Sequence, residues 1–116
     1  MLGIACLAHG QELGNTWGTA NQEAKHYRIV DLPLPEDPQL EVGSLAALPD
    51  GRLAIGTRRG EILIISGAFE PLPTPTIQRF ATGLDEVLGL GYRDGAFYVT
   101  QQTEVTCIRD KDGDGT

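Results

Sequence analysis

Apolar and polar residues alternate along most of this chain with the two-residue period of a half-buried strand, and the alternation is broken at regular intervals by glycine-containing turns. Ser44 to Leu48 and Leu53 to Ile55 flank Pro49-Asp50-Gly51, while Leu88 to Tyr92 and Ala96 to Val99 flank Asp94-Gly95. A second turn follows each pair, Arg58-Arg59-Gly60 in the first and Gln102-Thr103 in the second. These turns lead into Glu61-Ile62-Leu63-Ile64-Ile65 and Glu104-Val105-Thr106-Cys107-Ile108. The two stretches therefore read as one unit written twice, with a one-residue deletion between the turns of the second copy. Asp-Gly between apolar runs predicts a type I′ hairpin, since that turn needs positive φ at both central positions. Each copy is at least three antiparallel strands.

Thr76 to Ala81 alternates in the same way and supplies a fourth strand to the first copy. Asp50 and Asp94 lie 44 residues apart, and four-stranded units repeating at about that length are the pattern of propeller blades. The expected fold is all-β: a partial β-propeller of about two antiparallel blades of three to four strands. Tyr27 to Leu32 is predicted as an N-terminal clasp strand that closes a ring by completing another blade. An ordinary first strand of a sandwich is the alternative. Residues 27–116 are then an incomplete propeller domain, preceded by a linker at 11–26 in which Trp17 is the only large side chain. Closed propellers need about four to eight blades, so the chain is expected to be a piece of a longer ring and marginally stable alone. The proline-rich stretches Pro33 to Pro38 and Pro71 to Pro75 are loops, because proline cannot donate to a ladder. Gly89 and Gly91, within a predicted strand, are expected to let sheets approach closely.

The acidic balance, 9 Lys and Arg against 16 Asp and Glu for a net charge of −7, contains no basic stripe and argues against nucleic acid as a partner. No run of about 20 apolar residues is present to span a membrane. Residues 1–10 resemble the apolar part of a truncated signal segment, with small residues at Ala8 and Gly10 before Gln11. No Lys or Arg precedes the run; a signal segment here implies the periplasm or the outside of the cell, and an ordinary N-terminus is the alternative. Cys6 and Cys107 do not make a disulfide framework, and Cys107, within a strand, is expected to be a small packing residue. His9, His26, Arg58, Arg59, Ser44 and Ser66 lack the partners that catalysis would require at their positions.

The strongest local chemistry is Asp110, Asp112 and Asp114 followed by Gly115. Alternate carboxylates with glycine at the sixth position match the first half of a calcium loop, and a metal-free acidic turn is the plainer alternative. Gly83-Leu84, Leu88-Gly89-Leu90, Asp94-Gly95-Ala96-Phe97-Tyr98-Val99 and the run from Arg109 to Gly115 resemble a blade of secreted bacterial six-bladed propellers. These are related to quinone-dependent sugar and sorbosone dehydrogenases, a family that includes large membrane-bound dehydrogenases. Gly43 to Ile65 looks like the opening blade of that family. The resemblance implies oxidation of a sugar-like alcohol or aldehyde by pyrroloquinoline quinone, assisted by calcium and a histidine base. No residue of this chain matches the family's base or quinone contacts, and the three aspartates carry over only as structural calcium ligands. A non-catalytic propeller module that binds carbohydrate or protein is the second expectation. In either case the remaining blades of the parent protein are the first partner, and the chain alone is expected to be inactive.

Overall fold

A computed structural model describes residues 20–34 and 40–116, in which seven strands form two antiparallel sheets. The first sheet is β1 (Val42–Ala47), β2 (Leu53–Thr57), β3 (Ile62–Ser66) and β4 (Thr76–Ala81), in that order. β5 (Gly89–Arg93), β6 (Ala96–Thr100) and β7 (Val105–Arg109) form the second. The only helix among the described residues is a single turn, α1 (Ala20–Glu23), inside the predicted linker. The predicted signal segment, Cys6, His9 and Trp17 lie outside the described residues. No described helix is long and apolar enough to cross a membrane.

The two hairpins of each sheet are related but not identical. Leu48-Pro49-Asp50-Gly51 closes with the Gly51 N–H donating to the Leu48 carbonyl at 3.1 Å, and only Gly51 has positive φ. Pro49 cannot take the positive φ of a type I′ turn, so the chain forms a type I turn with glycine in the left-handed position after it. Thr57 to Gly60 repeats that design, with the Gly60 N–H donating to the Thr57 carbonyl. Asp94-Gly95, with φ of 51° and 75°, is the type I′ turn expected at both sites. The second sheet's two turns are each one residue shorter than those of the first, so the predicted deletion at the second turn is matched by another at the first.

The registers then fix which residues correspond. Thr57 donates to Glu61 as Gln101 donates to Glu104, both at 2.9 Å, and Leu48 pairs with Arg52 where Arg93 pairs with Ala96. Leu45, Ala47, Leu53, Ile55 and Ile65 accordingly occupy the positions of Leu90, Tyr92, Phe97, Val99 and Ile108. Ala46, Leu48, Ala54, Ile62 and Ile64 occupy those of Gly91, Arg93, Tyr98, Val105 and Cys107.

Inner strand β5 packs beside inner strand β1, and one core joins the sheets. It takes Ala46, Leu48, Ala54, Ile62 and Ile64 from the first sheet and Leu90, Tyr92, Phe97, Val99 and Ile108 from the second. These are not corresponding faces. The front of the first sheet meets the back of the second, as neighbouring units of a rotational repeat must. The back of the first sheet carries its own cluster, Ile55, Ile65 and Ala68, covered by Leu32, Leu34, Leu53 and Ile77. Leu32 onward belongs to one compact unit, Leu32–Thr116.

Val87, in the segment between the sheets, is fully buried and interlocks them. Its N–H donates to the Thr57 carbonyl at 3.1 Å, its carbonyl accepts from Ser44 Oγ at 3.1 Å, and its side chain fills the space a Cβ on Gly56 would occupy. The close approach of sheet to neighbouring chain thus falls at Gly43, Gly56 and Gly60, where a Cβ would meet Val87 or Leu84, not at Gly89 and Gly91. A Cβ on Gly91 would meet only the Tyr98 carbonyl, at 4.0 Å, and one on Gly89 would strike Thr100 of its own partner strand.

Two other expectations are corrected. Tyr27 to Leu32 contains no strand, and Tyr27 and Ile29 are exposed. A clasp strand pairs with the last blade of a closed ring, and two sheets side by side do not close one. Cys107 is exposed rather than packed, because it faces away from the first sheet.

Candidate metal-binding loop

Antiparallel pairing brings the Leu48 to Arg52 turn, the Asp94-Gly95 turn and the segment after β7 to one end of the two sheets. The acidic loop lies there. Asp110, Asp112 and Asp114 each present a carboxylate oxygen within 4.8 Å of the others, Asp110 half-buried and the other two exposed. Sequence alone thus identified residues that the fold does bring together.

The loop is organised around Asp110. Its Oδ1 accepts the Gly113 N–H at 2.7 Å and its Oδ2 accepts the Gly115 N–H at 2.9 Å. Asp114 Oδ1 accepts both the Thr116 N–H and the Thr116 hydroxyl at 2.8 Å. The left-handed conformations of Gly113 and Gly115, φ 77° and 84°, turn these amides inward. The N–H of Gly115, then that of Gly113, hold the Asp110 carboxyl below its usual value, against a smaller opposing effect of burial. Backbone donors thus supply part of the positive field that a cation would otherwise provide.

Three convergent carboxylates and glycine at the sharp turn fit a hard cation such as calcium, which takes six to eight oxygen ligands. The three aspartates would supply the first of these. A metal-free turn held by the same hydrogen bonds is equally consistent with this geometry.

The loop also reaches the neighbouring sheet. Gln78 Nε2, on β4, donates to the Gly115 carbonyl at 3.3 Å. Between them opens a cleft of ≈ 110 Å³ lined in part by Arg52, Phe80, Tyr92, Phe97, Asp110 and Gly115. Phe97 makes edge-to-face contacts with both Phe80 and Tyr92, ring centroids 4.9 Å apart in each case. Arg52 is ion-paired to Asp50 at 2.7 Å, which lowers the Asp50 carboxyl and neutralises the guanidinium. Pockets for drug-sized ligands run to about 300–1,000 Å³. This cleft holds only a few waters.

At the opposite end, Arg58 pairs with Glu86 at 3.2 Å and Arg59 with Glu41 at 3.3 Å, so neither is a free anion clamp. The Ser44 hydroxyl is committed to Val87, and His26 is exposed beside Tyr27. Among the described residues, none of these groups joins a nucleophile and base arrangement. The role of Val87 was missed from sequence; its signals were the glycines at Gly43 and Gly56, where a Cβ would run into it across the sheet boundary. Comparison with known proteins finds no matching family model, no matching curated protein and no matching solved structure.

Proposed function

We propose that this chain forms two adjacent blades of a β-propeller of the class to which quinone-dependent sugar and sorbosone dehydrogenases belong, and that it contributes scaffold and a calcium loop rather than the reacting groups. The single observation that supports the propeller over a sandwich is that non-corresponding faces of the two sheets meet. A sandwich of duplicated sheets related by a two-fold axis buries the same face of each. A rotational repeat buries front against back.

The step from propeller to dehydrogenase rests on the sequence resemblance alone, since propellers host many unrelated activities. In this reading pyrroloquinoline quinone would supply the oxidation chemistry in a pocket completed by other blades. Secretion to the periplasm or beyond belongs to the same reading. In this reading the chain by itself turns nothing over, because the pocket at the axis would need the other blades to complete it.

Two measurements test this. Dye-linked oxidation of aldoses or sorbosone, with added quinone and calcium, should be absent for the 116-residue chain and present for a longer reading frame carrying further blades. Turnover by the short chain contradicts the scaffold role. A longer protein that folds but neither binds quinone nor reduces dye favours the carbohydrate- or protein-binding module instead. For the loop, terbium luminescence should appear on titration, be displaced by calcium, and be lost in Asp112→Asn. No luminescence would leave the loop as a plain acidic turn.

A further inference from the structure

We infer that Asp94-Gly95 is a site of spontaneous covalent isomerisation, in which the Gly95 amide nitrogen closes on the Asp94 side-chain carboxyl and Arg109 promotes the step. The chain holds Asp-Gly pairs at Asp50, Asp94, Asp112 and Asp114, each chemically capable of this reaction. The fold separates them. The Gly51 N–H donates to the Leu48 carbonyl at 3.1 Å, that of Gly113 to Asp110 Oδ1 at 2.7 Å and that of Gly115 to Asp110 Oδ2 at 2.9 Å. The carboxylates of Asp50 and Asp114 are likewise engaged, by Arg52 and by Thr116. At Asp94-Gly95 the two-residue I′ turn pairs Arg93 with Ala96 and leaves the amide between them out of the ladder, and no acceptor holds it among the described residues. Both residues of the turn are exposed, the Asp94 side chain by 80%. The Arg93 guanidinium, 3.3 Å from Asp94 Oδ2, is itself exposed and holds the carboxyl only loosely.

A second observation concerns the nucleophile. As the Gly95 nitrogen gives up its proton, the negative charge is shared with the Asp94 carbonyl oxygen of the same peptide group. Arg109 Nη1 donates to that oxygen at 3.0 Å. A cationic donor aimed at an oxygen where charge develops stabilises that charge, as the donors of an oxyanion hole do. The nitrogen then attacks Asp94 Cγ: the N–Cγ bond forms, the Cγ–OH bond breaks, and the hydroxyl leaves with the amide proton as one water. The cyclic imide takes up one water in turn. Opening at Cγ restores Asp94, whereas opening at the backbone carbonyl leaves a β-linked residue of the same composition. Nothing is oxidised or reduced, and water is the only co-reactant.

The conversion also has strain to release. Asp94 is the one non-glycine residue with positive φ among those described, at 51°, a conformation that costs an L-residue energy. The β-linkage lengthens the turn by one backbone atom. That turn sets the register in which Tyr92 faces Phe97, and Phe97 belongs to the core shared by the two sheets. A change at an exposed hairpin tip therefore acts on the joint between the sheets.

The test is incubation of the whole chain in heavy-oxygen water at mildly acidic pH, where part of the carboxyl is protonated, followed by peptide mapping. Each passage through the imide fixes one heavy oxygen in the peptide that carries it, and chromatography separates β-linked from ordinary aspartate. In the folded chain Asp94-Gly95 should take up label about tenfold faster than the other three pairs, whose amides must first open a hydrogen bond. In urea the four should react at similar rates. Arg109→Ala, at an exposed position, should slow Asp94 about tenfold in the folded chain, the worth of one charge-assisted hydrogen bond, and leave its rate in urea unaltered. Protein aged to the β-linked form should unfold at lower urea than fresh protein. Label spread evenly over the four pairs in the folded chain, label appearing first at another pair, or an Asp94 rate indifferent to Arg109→Ala overturns the proposal. The reaction needs only the β5 to β6 hairpin and Arg109, so its failure would leave the propeller reading standing.

Discussion

The two sheets share one strand plan and differ in how many of their faces are covered. Ile62-Leu63-Ile64-Ile65 of β3 is buried on both sides, and its sequence is a continuous apolar run. Val105-Thr106-Cys107-Ile108 of β7 alternates between exposed and half-buried, with Val105 and Cys107 on the exposed side and Thr106 and Ile108 on the covered one. Continuous apolar runs belong to strands buried on both faces and alternating ones to strands with one wet face.

The sharpest way to break this comparison is to truncate corresponding residues. Ile62→Ala removes a fully buried side chain from the joint core and should cost about 2–5 kcal/mol in urea denaturation. Val105→Ala, at the corresponding position, should cost no more than about 0.5 kcal/mol. Equal losses would mean that the open face is covered. Next in size is a pair of glycines. Gly56→Ala drives a methyl into Val87, with Cγ1 2.2 Å from the added Cβ, and should lower stability by about 1–3 kcal/mol. Gly91→Ala installs the residue that the first sheet already has there, Ala46, in open space, and should be neutral or slightly stabilising by the same measurement.

The smallest effect concerns acid. Asp110 is held low by the Gly115 and Gly113 amides, Glu86 by hydrogen bonds from Arg58 and then Gln102, and Asp50 by Arg52. A carboxylate with a depressed folded pKa contributes stability above its unfolded value, near 4, and loses it as pH falls through the folded value. Stability should therefore decline below about pH 4, and Asp110→Asn should flatten part of that decline. An unchanged acid limb in this variant would mean that the loop amides do not hold Asp110 in solution.

Much of this architecture was legible in the sequence. The β4 boundaries, Thr76 to Ala81, and the duplication around the Asp-Gly turns follow from period-two patterning, which is local. The I′ turn was misplaced at Asp50 because Pro49, one residue earlier, fixes a φ that the dipeptide alone does not reveal. The clasp failed to form a strand because pairing depends on a distant edge, and alternation in Tyr27 to Leu32 cannot say where that edge is. Cys107 was read as a packing residue and Gly91 as a point of close sheet approach, and both instead lie on an exposed face of the second sheet, because alternation shows that a strand has two faces but not which of them is covered. The three aspartates were found from spacing, whereas the amides that hold Asp110 come from turn geometry at Gly113 and Gly115.

The front-to-back packing of the sheets carries the whole account, and methyl NOE spectra of isoleucine-, leucine- and valine-labelled protein measure it most directly. Ile62 and Ile64 should show cross-peaks to Val99 and Ile108, while Ile55 and Ile65 should show them to Leu32 and Leu34. Cross-peaks from Ile55 and Ile65 to Val99 and Ile108 instead would place corresponding faces together and contradict the repeat.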